Sequence, residues 1–153
     1  SAIFMFVDQE PYKVSELYNT RSVIEFKTSN VKVDNVLLPY TLEFYDEALS
    51  RGFDIDSMSR DFYGIFIDII PMKFNGVTIL NETITKDFKF CLIDRKFVGY
   101  INKLRITTFH ELGHVYGFNH CHVRCEGIMS ALSITSNFYN DWEAQKKQMF
   151  DKN

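Results

Sequence analysis

Residues 110–120 read HELGHVYGFNH, which follows the pattern H-E-x-x-H-x-x-G-x-x-H. This run holds three of the four histidines in the chain, and the fourth, His122, follows two residues later. Histidines kept only for packing or solubility would be scattered along a soluble domain. With ordinary residue frequencies, a chance match in a chain of 153 residues arises on the order of once in a hundred thousand sequences. The cluster therefore predicts a functional site.

The first two histidines of the run, His110 and His114, are spaced to share one face of a helix. Side chains at positions i and i+4 project on the same side, so both imidazoles can bind one metal ion. A catalytic zinc ion takes three protein ligands and keeps one position for water. Glu111 is not needed as a ligand, and its carboxylate can act as the general base toward that water. The pattern predicts one catalytic Zn²⁺ ion.

The third ligand requires the helix to end soon after His114. A continued helix would place His120 six positions further on, on a different face. Gly117 can adopt a left-handed backbone conformation and end the helix. We therefore predict that the chain turns at Gly117 and brings His120 to the metal. His122 is an alternative third ligand, although its spacing fits the pattern less well.

This stretch resembles the signature of the metzincin clan of zinc endopeptidases, which adds a methionine-containing turn after the third histidine. Met129, within the segment GIMS at 127–130, stands where that turn is expected. The resemblance implies an α+β, zincin-like fold with a twisted, mostly parallel sheet, an antiparallel edge strand, an active-site helix and a C-terminal helix. It also implies that Met129 forms an apolar floor beneath the imidazoles, whereas the alternative is ordinary core filling.

The residues after the third histidine bear on the family within the clan. The spacing from His120 to Met129 is similar to that of matrix-metalloproteinase-like members, whereas Cys121 resembles archaemetzincins. Archaemetzincins hold a second zinc with further cysteines, but no cysteine follows Cys125 here. Three interpretations of Cys121 and Cys125 stay open: free thiols, which we favour, a local disulfide, or a fourth zinc ligand that closes the site.

Composition sets the class of the molecule. A hydrophobic content of 46% with 16% aromatic residues indicates a globular chain, which we interpret as a single domain over residues 1–153. A net charge of −3 gives no support for a nucleic-acid partner. No apolar run approaches the roughly 20 residues of a membrane helix. We expect a monomer, and the family resemblance implies secretion or a cell-envelope location.

Apolar periodicity and turn residues predict the secondary structure. Helices are predicted over Leu38–Arg51, Asn102–Tyr116 and Asn140–Asp151, the last with Asn140 and Glu143 as a capping box. Strands are predicted over Ser22–Thr28, Phe62–Ile70, Val77–Leu80 and Phe88–Ile93, and the segment Ile3–Val7 is either a first strand or a packed arm. The strand from Phe62 is expected to be buried on both faces, and Asn75-Gly76 to form a tight turn before an edge strand.

The sequence thus predicts a zinc-dependent endopeptidase that hydrolyses peptide bonds through a zinc-bound water activated by Glu111. The family resemblance implies that an extended peptide pairs with the edge strand at Val77–Leu80. The alternative is a non-catalytic metal-binding or interaction domain with a closed structural zinc site. A fourth ligand such as Cys125 would favour that alternative, whereas Glu111 argues against it, because a structural site has no use for a base.

A structural Ca²⁺ ion is a lesser alternative for a second metal. Asp54, Asp56 and Asp61 lie close together in the sequence. Their spacing is irregular and lacks the glycine of a calcium-binding loop, so a solvated loop is the preferred interpretation.

Overall fold

A computed structural model of the chain describes residues 23–25, 32–54, 62–68, 73–80, 89–121, 127–131 and 141–151. Within these ranges the strands are β1 (Val23–Glu25), β2 (Lys32–Asp34), β3 (Phe62–Ile67), β4 (Gly76–Ile79) and β5 (Lys89–Ile93). The helices are α1 (Leu38–Ser50), α2 (Ile101–Val115) and α3 (Trp142–Asp151), and a short 3₁₀ turn covers Arg95–Phe97.

The described strands form one mixed sheet in the order β1-β2-β3-β5-β4. The three central strands, β2, β3 and β5, run parallel. Antiparallel strands lie at the two ends of this order, with β1 beside β2 and β4 beside β5. The predicted α+β class and the antiparallel edge strand are confirmed, the latter one residue earlier than expected.

The central strand β3 is buried on both faces, as its nearly continuous apolar sequence predicts. Successive strand residues point to opposite faces, and both Ile65 and Phe66 are 0% exposed. Parallel neighbours on both sides satisfy its backbone hydrogen-bonding groups. On the face of Ile65, the sheet shares its core with the helices through Cys91 and Ile93 of β5.

Aromatic side chains join the three helices over that face. The ring centroids of Phe44 on α1 and Phe109 on α2 lie 5.4 Å apart, and those of Phe109 and Trp142 on α3 lie 4.9 Å apart. Both pairs meet edge to face, a favoured geometry for aromatic rings. Helix α2, which carries His110 and His114, therefore shares one hydrophobic core with α1, α3 and the sheet.

A charge cluster also ties the helices together. The Glu43 carboxylate on α1 accepts hydrogen bonds from Arg105 on α2 and, at 3.0 Å, from the Trp142 indole on α3. The Lys146 ammonium on α3 lies 3.3 Å from the same carboxylate. Since Lys146 is 6% exposed, this contact is screened less than a surface ion pair.

The predicted elements agree with the observed ones apart from their ends and two omissions, β2 and the short 3₁₀ turn at Arg95–Phe97. Helix α1 ends one residue early, before Gly52, which has a φ of +87°. Strand β2 was not predicted, because its three residues carry too little apolar alternation to be recognised. The segment Ile3–Val7 and the capping residue Asn140 lie outside the described residues. None of the described helices is long and apolar enough to cross a membrane.

Candidate metal centre

A glycine turn ends α2 and redirects the chain. The helix stops at Val115, and Gly117 has a φ of +92°, a conformation that residues with a Cβ atom rarely adopt. The Phe118 N–H donates to the Gly113 carbonyl at 2.8 Å and closes the turn. The backbone conformation predicted for Gly117 is present, and the chain beyond it returns His120 to the helix.

Backbone carbonyls fix the tautomers of the first two histidines. Nδ1 of His110 lies 2.7 Å from the Ile128 carbonyl oxygen, and Nδ1 of His114 lies 2.9 Å from that of Phe118. Because a carbonyl oxygen only accepts, each Nδ1 atom carries the proton. A neutral ring then presents the lone pair of its Nε2 atom, which is the form that binds a metal.

The three Nε2 atoms of His110, His114 and His120 meet at one point. Each lies 3.1 Å from the other two. Lone pairs facing one another gain nothing unless a cation lies against them. A triangle with 3.1 Å edges has its centre about 1.8 Å from each corner, slightly less than a Zn–N bond of about 2.0–2.1 Å. The spacing of the three atoms is therefore compatible with a single ion, and this group could bind a metal ion.

Burial keeps the first two ligands neutral. It lowers the pKa of His110 to about 4, although the hydrogen bond to Ile128 acts in the opposite direction. Burial also lowers the pKa of His114, against the effect of its bond to Phe118. Both imidazoles are therefore deprotonated at Nε2 near neutral pH, the state that metal coordination requires.

Glu111 lies beside the histidines but turns toward the sheet edge. Glu111 is 5% exposed, and its Oε1 atom accepts a 2.7 Å hydrogen bond from the Thr78 hydroxyl on β4. Burial raises the pKa of Glu111 to about 7, and the bond from Thr78 opposes this rise. A carboxyl group with a pKa near neutrality is suited both to accept a proton and to return it.

The segment with Met129 packs directly on the metal-binding helix. A Cβ atom on Gly113 would lie 2.7 Å from the Met129 sulfur and 2.8 Å from the terminal carbon of Met149 on α3. A side chain at 113 would therefore displace the flexible ends of both methionine side chains, so this close approach favours glycine at 113. The Cys121 N–H donates to the Met129 carbonyl at 3.1 Å. Met129 thus touches α2 one residue before His114.

The bonding state of Cys121 contradicts one prediction. Cys121 is disulfide-bonded, so the favoured free-thiol interpretation is wrong for this residue, and its sulfur is committed to another sulfur rather than to a metal. Cys91 is a free, buried thiol inside β5, as expected for a strand cysteine. Cys125 and His122 lie outside the described residues, as do Asp56 and Asp61 of the weak calcium interpretation.

The metal-binding group opens into a cleft of about 490 Å³. One wall is β4 with the segment that leads into it, and the other is the face of α2 that carries the histidines. Ser130 and Ala131, which follow Met129, lie at the cleft as well. The lining residues that matter for chemistry are Lys73, Gly76, Thr78, Lys103, Thr107 and Glu111, together with the three histidines.

Comparison of the chain with family models, with curated proteins and with solved structures finds no match. The geometry of the site and the resemblance of its motif are therefore what indicate a function. Sequence reasoning placed the strand Val77–Leu80, which includes Thr78, at the substrate, but it did not identify the contact of Thr78 with Glu111, nor Gly76, Lys73 and Lys103 as lining residues. The turn signal at Asn75-Gly76 marked the segment, but nothing local to it indicated a contact with Glu111.

Proposed function

We propose that this protein is a zinc-dependent endopeptidase. The observation that carries the proposal is the convergence of three Nε2 atoms, which line the same cleft as the buried Glu111 carboxylate. Three histidine ligands suit zinc and leave one coordination position for a reactant. The resemblance of residues 110–129 to the metzincin signature supports peptide-bond hydrolysis as the reaction.

The residues of the cleft have separate roles in the proposed hydrolysis. His110, His114 and His120 would hold the zinc ion, which would supply a Lewis acid for activating water and polarising the scissile carbonyl. Glu111 takes the proton of the attacking water and delivers it to the leaving amine. Strand β4 lies at the end of the strand order and lines the cleft, so an extended peptide can pair along it. Met129 packs against α2, the helix that carries His110 and His114.

Two observations favour this function over a closed structural zinc site. The metal-binding group holds three protein ligands among the described residues, and Glu111 is not one of them. The sulfur of Cys121, next to His120, is in a disulfide. A structural zinc site takes four protein ligands, and a buried carboxylate beside three of them suits a site at which a proton moves. The disulfide also supports secretion or a cell-envelope location, where disulfides persist.

Metal content and cleavage of a mixed peptide library test the function together. We expect the purified protein to hold one zinc ion per chain and to cut internal peptide bonds. Chelation should abolish cleavage, and added zinc should restore it. A zinc-loaded protein that leaves every peptide of a diverse library intact would refute the proposal and favour the structural-zinc alternative.

The charge of the cleft predicts a substrate preference. Lys73 and Lys103 line it, and Glu111 is the one carboxylate among the described lining residues. Lys103 precedes His110 by two helical turns, about 10 Å along the axis, which an extended peptide covers in about three residues. We therefore expect faster cleavage of peptides with Asp or Glu within about three residues of the scissile bond.

Charge reversal measures this preference. Lys73→Glu and Lys103→Glu should each lower kcat/KM for an acidic peptide about 5-fold relative to a basic one, as expected for loss of one modest charge interaction. Lys147→Glu, on an exposed position of α3, is the matched control and should leave the ratio unchanged. An unchanged ratio in both cleft variants would contradict the prediction.

A further inference from the structure

Thr78 makes a dense set of contacts with Glu111. Its hydroxyl oxygen lies 2.7 Å from Oε1 of the carboxylate and 3.0 Å from the backbone carbonyl oxygen of the same residue. It also lies 3.4 Å from the sulfur of Cys91, the free thiol in the adjacent strand. The hydroxyl therefore reaches both the side chain and the main chain of Glu111.

The backbone of β4 closes on the same carboxylate two residues earlier. A Cβ atom on Gly76 would lie 3.1 Å from both Cγ and Oε2 of Glu111, and 3.0 Å from the Thr107 methyl carbon. Residues 76 and 78 point to the same face of the strand, because side chains alternate along it. An open position at 76 and a hydroxyl at 78 thus form a cradle for the carboxylate.

We propose that Thr78 positions Glu111 for its role as proton acceptor and donor, with the space at Gly76 receiving the second carboxylate oxygen. This inference rests on the proposed peptidase function. Thr78 does not touch the reacting atoms in this scheme, so it is a positioning residue and not a catalytic one.

A hydroxyl suits this task because the partner changes its protonation state during the reaction. A hydroxyl can donate to a carboxylate and can accept from a carboxylic acid. While it accepts from the acid, its own hydrogen can turn to the Glu111 carbonyl oxygen, 3.0 Å away. Oε1 therefore keeps a hydrogen-bonding partner in both states, without movement of heavy atoms.

The location of Thr78 links substrate binding to the base. Strand β4 is the edge along which an extended peptide would pair, and Thr78 lies in its middle. Peptide pairing would restrict the motion of the β4 backbone. The 2.7 Å hydrogen bond from Thr78 would in turn restrict the motion of the Glu111 carboxylate. The same strand would then align the scissile bond and orient the Glu111 carboxylate that acts on it.

Substitution of Thr78 with Val and with Ser separates the hydroxyl from the shape of the side chain. Val keeps the β-branched shape that suits a strand but removes the hydroxyl, whereas Ser keeps the hydroxyl. We expect Thr78→Val to lower kcat about 10- to 100-fold, the usual effect of losing a supporting hydrogen bond in a metal site, with KM within about 2-fold. Thr78→Ser should restore kcat to within a few-fold of the wild-type value. Both variants should hold one zinc ion per chain.

Crystal structures of the zinc-loaded variants give a readout that does not depend on activity. The Glu111 carboxylate should leave its position in Thr78→Val and keep it in Thr78→Ser. If Val destabilises the fold, Thr78→Ala removes the hydroxyl without adding bulk and takes its place in both measurements. Zinc content and melting temperature identify a variant that is merely damaged.

The outcomes separate this inference from the proposed function. If the wild type cuts peptides and Thr78→Val matches its kcat, positioning by Thr78 is wrong while the peptidase stands. If Ser fails as badly as Val, the hydroxyl is not the cause, and the inference is overturned. If the wild type cuts nothing, the proposed function falls, and an unmoved Glu111 carboxylate in Thr78→Val overturns the positioning as well.

Discussion

The Glu111→Gln variant is expected to keep its zinc and to lose roughly 10²- to 10⁴-fold in kcat, the usual contribution of a general acid–base residue. Glutamine has nearly the same shape as glutamate, and its amide can still exchange a hydrogen bond with Thr78. It cannot accept a proton from water at any pH relevant to the reaction. The loss should therefore appear in kcat, while KM and the melting temperature stay close to their wild-type values.

Steady-state cleavage of one peptide from the library, with zinc content measured on the same sample, checks this result. The matched control is Asp46→Asn, which removes an exposed carboxylate from α1 and should change neither quantity. Cleavage at the wild-type rate by Glu111→Gln would remove the carboxylate from the mechanism. Loss of zinc by that variant would instead identify Glu111 as a ligand.

Replacing His114 with Ala should abolish both zinc binding and cleavage. The Nε2 atom of His114 lies 3.1 Å from the Nε2 atom of each of the other two histidines, and the two imidazoles that remain would not hold the ion. Free zinc at about 100 times its dissociation constant stabilises a protein by about 2.7 kcal/mol. For a chain of this size that corresponds to a rise in melting temperature of roughly 5–10 °C, which the variant should lack.

Calorimetry with and without zinc measures this difference, and the third ligand can be tested in the same way. His120→Ala should behave as His114→Ala does, whereas His122→Ala should keep both the zinc and the rise in melting temperature. The reverse result for this pair would show that the histidine at 122 binds the metal. The positions differ by only two residues, so each variant is a close control for the other.

The parts of the site that the sequence predicts are those set by local geometry. His110 and His114 share a helical face because of their spacing alone, and the left-handed Gly117 follows from the backbone that a glycine allows. His120 then has a short, defined path back to the helix. Each of these steps depends on residues fewer than about ten positions apart, so no knowledge of the remaining chain is needed.

The parts that the sequence misses depend on contacts between distant segments. Thr78 and Glu111 are 33 residues apart, and they meet only because the antiparallel edge strand packs beside α2. Strand β2 is recognisable only through its pairing with β3, since three residues carry almost no pattern of their own. The disulfide of Cys121 depends on its distance in space from another cysteine, and spacing in the sequence did not separate it from a free thiol.

The glycine at 113 has a consequence for how the sequence can diverge. Two methionines, Met129 and Met149, occupy the space where its side chain would be. Residue 113 is one of the unspecified positions of the H-E-x-x-H pattern, yet a larger residue there would displace the flexible ends of both methionine side chains. Substitutions at positions in contact are energetically coupled. Among homologues these three positions should therefore covary, and a methionine at 149 should accompany glycine at 113.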